Sequence, residues 1–194
     1  LSDPPKLAGS EALIAAVASQ LMPKEDFIEL ADELIAELNE SPPPGEKPRA
    51  RLLVVGGELD EPKFIEVIES MGAAVVGDNV CFGTRFFDEL VREAGDPFEA
   101  ICRNAFYNVP CSRMVGGFTE RYNYVERLTR LCRADGVIFQ RMKFCDPWGV
   151  EAHNMLHRYK NSDGFILVLE REYGTVAAGQ VKTRVQAFME AMGK

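Results

Sequence analysis

The chain has 194 residues, 46% of them hydrophobic and 27% charged, which suits one domain with a sizeable core and excludes disorder throughout. Thirty acids against 22 bases give a formal charge of -8 with no Lys/Arg-rich face, which argues against nucleic acid or an anionic membrane as partner while leaving room for a local basic pocket. No apolar run approaches the roughly 20 residues of a membrane span, and the opening Leu1-Ser-Asp-Pro-Pro has no signal-peptide layout, so a soluble, cytoplasmic protein is expected.

That opening residue is Leu rather than Met, from which a fragment of a longer subunit is expected. Ser10 begins a helix, and Pro23-Lys-Glu-Asp begins a second with acids in its first turn, where the helix dipole favours them. Phe27, Leu30, Ala31, Leu34, Ile35 and Leu38 recur along one helical face and predict a packing surface. The run "SPPPGEKPR", residues 41–49, is too rich in proline to continue a helix. The expected organisation is a helical preamble over 1–40, a linker over 41–49 and a main domain over 50–194.

In the main domain apolar runs alternate with amphipathic ones. "RLLVV" at 51–55 reads as a strand, followed by the turn "GGELDEP" and a helix that faces Phe64, Ile65, Ile68 and Met71 inward. A second strand at 73–76 precedes a helical stretch over 85–94, a shorter one near Phe98 and the irregular loop "FYNVPCSRMVGG". A helix over roughly 118–134 leads to a strand at 136–140, a helix after Pro147 leads to a strand at 165–169, and a last helix runs over about 178–192. Strands that are apolar throughout, separated by helices, predict an α/β fold: a flavodoxin-like or Rossmann-like parallel sheet of about four strands with helices on both faces.

Loops leaving the strands of such a sheet gather at its carboxyl edge, so residues distant in sequence become neighbours there. These are Gly56, Gly57 and Glu58 after the first strand, and Asp78, Cys81, Thr84 and Arg85 after the second. Lys143, Cys145 and Trp148 follow the third, and Glu170, Arg171 and Tyr173 the fourth. Asp146-Pro147 reads as N-cap and first helical residue, which puts Cys145 just before a helix start, where the dipole favours an anionic sulfur. Five cysteines, an odd number without any C-x-x-C, fit reduced thiols or metal ligands better than a disulfide framework. Two cysteines and two arginines on one rim point to a soft metal site beside an anion or acyl group, with Cys145 and then Cys81 as ligands. Cys111 follows them in its long loop, and Cys102 and Cys132 read as small packed hydrophobes.

Other motifs have plainer readings. "VVGG" is no dinucleotide fingerprint, because G-x-G-x-x-G is incomplete. His153 and His157 stand four apart on a helix without an evident third ligand, which favours surface or packing roles. Arg171, Gln180 and Arg184 have the chemistry to hold a carboxylate, phosphate or thioester, and ion pairing with Glu170 and Glu172 accounts for the arginines nearly as well. Trp148 reads as a structural lid over its helix start.

Longer stretches carry a resemblance. "GSEALIAAV", "MPKEDFIELADELIAEL", "GDNVCFGTRFF", "DGVIFQRMKFCDPWGVEA" and "LEREYGTVAAGQVKTRVQAF" resemble the C-terminal half of a subunit of the benzoyl-CoA reductase and 2-hydroxyacyl-CoA dehydratase family, over nearly the whole chain. K-F-C-D after a strand and G-Q-x-x-T-R-x-x-A-F in the last helix are the most specific in combination, and E-R-E-Y looks nearer the reductase branch. The resemblance implies subunits of two flavodoxin-like domains, each pairing with a paralogous partner subunit and holding a 4Fe-4S cluster through three cysteines with one iron open. Cys145 of K-F-C-D would be the ligand from the C-terminal domain, the other two lying in a preceding domain outside these 194 residues.

A separate ATP-hydrolysing iron-sulfur activator would supply a low-potential electron to an acyl-CoA thioester, for dearomatisation in reductases and loss of water in dehydratases. The expectation is thus a fragment of a benzoyl-CoA reductase-type iron-sulfur subunit of anaerobic metabolism, catalytic only within the larger subunit and complex. The alternatives are a 2-hydroxyacyl-CoA dehydratase subunit and a non-catalytic docking module in which Cys145 is inert and residues 10–39 pack on a partner.

Overall fold

The computed structural model describes residues 2–42, 46–107, 111–114, 116–174 and 177–194. Ala50–Gly56 (β1) has every residue buried, because strands flank it on both sides and helices cover both faces. That position explains an apolar Leu52-Leu-Val-Val55 with no polar alternation. With Ala73–Asn79 (β2), Gly136–Met142 (β3) and Ile166–Arg171 (β4) it forms one parallel sheet in the order β2-β1-β3-β4. This is the flavodoxin-like order, one of the two that the alternation of apolar and amphipathic runs leaves open.

The helices are Gly9–Leu21 (α1), Lys24–Glu40 (α2), Pro62–Glu69 (α3), Pro97–Tyr107 (α4), Phe118–Leu131 (α5), Asp146–Tyr159 (α6) and Ala178–Ala191 (α7). Successive side chains of β1 point to opposite faces and so enter two different cores. Leu52 and Val54 join Leu13 of α1, Phe64 and Ile68 of α3, and Val185 of α7. Leu53 and Val55 join Val125 and Leu128 of α5 and Trp148 and Met155 of α6. Each such fully buried aliphatic side chain contributes about 1.5–3 kcal/mol over an exposed one.

At its start α1 has Ala8 as N-cap, which offers no acceptor. Glu69 of α3 supplies one instead, taking the Gly9 amide at 2.8 Å and the Ser10 hydroxyl at 2.9 Å. By contrast α2 has no buried residue. Phe27, Ala31, Leu34 and Leu38 are half-buried and Leu30 and Ile35 exposed, so the expected packing stripe is only partly covered. Of the expected linker, residues 43–45 lie outside the described ones.

The helix expected over 85–94 is not there: the backbone makes one 3-10 turn at Thr84–Phe86 and is non-helical from 87 to 96. Asp78 accepts from the Thr84 amide at 2.8 Å and from its hydroxyl at 3.1 Å, while Arg85 is drawn inward to β1 and β2. Tertiary bonds thus override the local helical pattern. Among the described residues no helix is long and apolar enough to cross a membrane.

Candidate functional site

Strand order reverses between β1 and β3, and ligands of open α/β sheets bind outside the carboxyl ends of strands at such a point. Gly56 ends β1 with φ 141°, and a Cβ there would lie 1.9 Å from the Gln140 carbonyl oxygen of β3. At Gly57 a Cβ would lie 3.0 Å from the Trp148 indole. The pair in "VVGG" therefore permits a close strand approach and a stacked indole, where a pyrophosphate would otherwise meet the backbone.

Arg85 binds this corner together. It is 7% exposed, and its Nε donates to Asn79 Oδ1 and its Nη2 to the Gly56 carbonyl, both at 2.8 Å. Its Nη1 lies 3.3 Å from Cys81 Sγ, and its guanidinium stacks 5.0 Å from the centre of the Trp148 ring, which also packs on Phe139. Trp148, expected as a lid over the start of α6, is buried in the second core with Arg85 over its ring.

Asp78 and Thr84, candidates by position, satisfy one another in the turn described above. Burial raises the Asp78 carboxyl above its usual range against the pull of the Thr84 and Val80 amides. Cys81 donates its amide to the Gly57 carbonyl at 3.3 Å. Burial pushes its thiol up; the Arg85 charge opposes this, and neighbouring Cys111 and Glu58 add to it. Next to Cys111, Arg113 pairs with Glu58 at 2.7 Å, and Arg121 Nη1 donates to the carbonyls of Cys111 and Met114 at 3.3 Å and of Gly116 at 2.8 Å.

Cys145 is half-buried and is itself the N-cap of α6, one residue earlier than the Asp146 expected from Asp-Pro. Its carbonyl accepts the Gly149 amide at 2.8 Å, and its thiol makes no cap bond. The preceding Phe144 has a left-handed φ of 63° and is 97% exposed. The K-F-C-D turn therefore puts an exposed aromatic ring and a half-buried cysteine at the carboxyl edge, where Cys145 packs against the second core.

At the far side of the edge, Glu170 pairs with Arg141 at 2.8 Å and Glu172 with Lys143. They do not neutralise Arg171 and Arg184, as ion pairing with those arginines would have required. Arg171 turns inward instead, its Nε donating to Gln140 Oε1 at 2.8 Å. Arg184 donates to the Val168 carbonyl at 2.7 Å. His153 and His157 are exposed on α6, Cys132 is buried, and Cys102 is half-buried on α4.

Sequence reasoning missed Gln140 and the Arg121–Glu151 pair. Gln140 is fully buried in β3 and donates to the Gly57 carbonyl at 3.2 Å, locking β1 to β4 through Arg171. Arg121 and Glu151 form a buried bidentate pair at 2.6 and 2.9 Å. A glutamine ending the apolar run 136–140 was the readable signal for the first; the second joins residues 30 apart and left none.

A family model, 2-hydroxyglutaryl-CoA dehydratase, D-component, matches residues 1–192. The chain belongs to this family. The putative dehydratase subunit YjiM of Escherichia coli (strain K12) is 27% identical, covering 98% of this chain and 51% of that protein. The (R)-phenyllactyl-CoA dehydratase beta subunit of Clostridium sporogenes is 26% identical over 88% and 45% respectively. The lactoyl-CoA dehydratase subunit beta of Anaerotignum propionicum is 26% identical over 90% and 47%. The chain spans about half the length of these relatives.

A 4Fe-4S cluster, which the family resemblance implies, needs several thiolates. Among the described residues no group of three or more His, Cys, Asp or Glu side chains is arranged to hold a metal. Cys81, Cys111 and Cys145 are all among the described residues and do not form such a group.

Proposed function

We propose that the chain is part of a 2-hydroxyacyl-CoA dehydratase subunit, and that Cys145 is the thiol it gives to an iron-sulfur cluster whose other ligands lie outside these 194 residues. The observation that carries this reading is the K-F-C-D turn: a half-buried thiol at the carboxyl edge, at the head of a 14-residue helix, beside a Phe144 in left-handed backbone. Non-glycine residues in that conformation are kept where the surroundings over-determine them, and they cluster at functional turns. The family model and the three named relatives are dehydratase subunits, which favours dehydration over the ring reduction that E-R-E-Y alone suggested.

Bound at this turn, such a cluster would supply an electron at low potential and an iron able to act as a Lewis acid on oxygen. This chain's own residues hold the thiol still. Arg85 and Trp148 fix the first turn of α6, and the Lys143–Glu172 and Arg141–Glu170 pairs moor the end of β3 to the end of β4. The net reaction is loss of water from a 2-hydroxyacyl thioester to give the 2-enoyl thioester. Two relatives are called beta subunits, and a paralogous partner subunit and an ATP-dependent iron-sulfur activator belong to the same reading.

The non-catalytic docking module draws on α2, which buries no residue and leaves Leu30 and Ile35 exposed. The test is an anaerobic assay of the full-length subunit with its partner and activator, offering 2-hydroxyacyl-CoA esters and benzoyl-CoA. Formation of 2-enoyl-CoA with benzoyl-CoA untouched is expected. Reduction of benzoyl-CoA restores the reductase assignment, and no turnover of either in a cluster-free complex leaves the docking module.

A further inference from the structure

Ile28 and Ile35 of α2 stand seven residues apart, hence on one face of the helix, and each is 56% exposed. Phe27, Ala31, Leu34 and Leu38 on the adjoining face are half-buried, so the apolar surface of α2 is wider than the part its own chain covers. No residue of this 17-residue helix is buried, although most helical stability in proteins comes from a packed face.

The charges of α2 conflict in the same way. It carries seven acids and one base, Lys24, which is used on the Ser19 carbonyl. Glu25 and Asp26 suit the first turn, but the last turn has Glu37 and Glu40 and no base, which is the wrong sign for that end of the dipole. Glu25, Glu29, Glu33 and Glu37 follow one another at four-residue steps, where like charges repel. Among the described residues none of the seven carboxylates has an ion pair. Cations from elsewhere would remove all of these conflicts at once.

We propose that α2 docks a basic amphipathic helix of a partner protein, whose apolar seam packs on Ile28 and Ile35 and whose flanking Lys and Arg meet the acids beside that strip. Apolar anchors bordered by complementary charge are how helix pairs gain affinity and choose their mates. A second copy does not fit, because its α2 brings the same acids and repels. The surface is independent of Cys145 and stands if that thiol binds no iron.

Two synthetic helical peptides with the same heptad leucine seam, one flanked by lysines and one by glutamates, test this by fluorescence anisotropy on the chain. Saturable binding of the lysine peptide is expected, at least about tenfold tighter than that of the glutamate peptide and weaker as salt rises. Ile28→Ser with Ile35→Ser changes exposed residues, so the Tm should hold while affinity falls at least about tenfold. Glu29→Gln with Glu33→Gln should weaken binding and flatten its salt dependence. Glu89→Gln with Glu93→Gln removes as much charge outside α2 and should leave binding unchanged. Equal affinity for the two peptides, parental binding in the serine variant, or an equal loss in the Glu89→Gln, Glu93→Gln control overturns the proposal. Self-association of the chain that the serine variant abolishes puts a second copy on the strip and overturns it as well.

Discussion

Arg85 and Arg171 stand at the same edge of the sheet, 7% and 6% exposed, and their guanidinium groups are used in opposite ways. All three nitrogens of Arg85 meet a neighbour and its flat face lies on an indole. In Arg171 one nitrogen, Nη1, is buried without a partner. Burial lowers both from the ordinary arginine value, so the cost of desolvation is common to them. What differs is whether the protein alone repays it. A cation satisfied by its own chain is part of the scaffold; one left with an unbonded nitrogen is held in place at a cost.

Truncation is the strongest way to break this contrast. Arg85→Ala should cost about 3–5 kcal/mol, because it strips acceptors at Asn79 and Gly56 and unstacks Trp148, and the urea midpoint at unchanged m-value measures it. A loss under about 1 kcal/mol would mean that Arg85 is no more structural than its counterpart. Gly57→Ala, which drives a methyl to 3.0 Å from the indole, should cost about 1–3 kcal/mol in the same assay. Arg171→Met should cost less than Arg85→Ala, about 1 kcal/mol, since deleting an unbonded donor offsets part of the two bonds lost.

The smallest effect is a pH dependence. The folded-state value of Cys81 lies above the ordinary 9.0, so both states keep the proton at neutral pH and the contribution of this thiol is fully present. As the pH climbs past 9.0 the unfolded chain ionises first, and stability falls. Unfolding measured between neutral and alkaline pH should show a shallower decline in Cys81→Ser than in the parent, the residual slope belonging to Cys132 and, past 10.0, to Tyr124 and Tyr159, all of which burial shifts the same way.

Strands β1 to β4 were readable because a doubly covered parallel sheet demands apolar residues without a break. The gathering of Gly57, Cys81, Arg85 and Cys145 at one edge followed from that topology. What could not be read was set by bonds across the sequence. Asp78 and Asn79 hold Thr84 and Arg85 in a single tight turn although residues 85–94 have helix-like spacing. Asp146-Pro147 has the composition of a helix start, yet the turn through Phe144 brings the cap back to Cys145. Which glutamate pairs with which cation depended on the β3–β4 register, Arg141 beside Glu170, and this places Arg171 one step further in.

Iron and sulfide content of the full-length subunit, purified anaerobically with its partner, tests the central claim most directly when Cys145 is changed to Ser. The account predicts a folded, correctly assembled Cys145→Ser complex that has lost the iron held by this subunit. The same iron and the same absorption spectrum in parent and variant would contradict it.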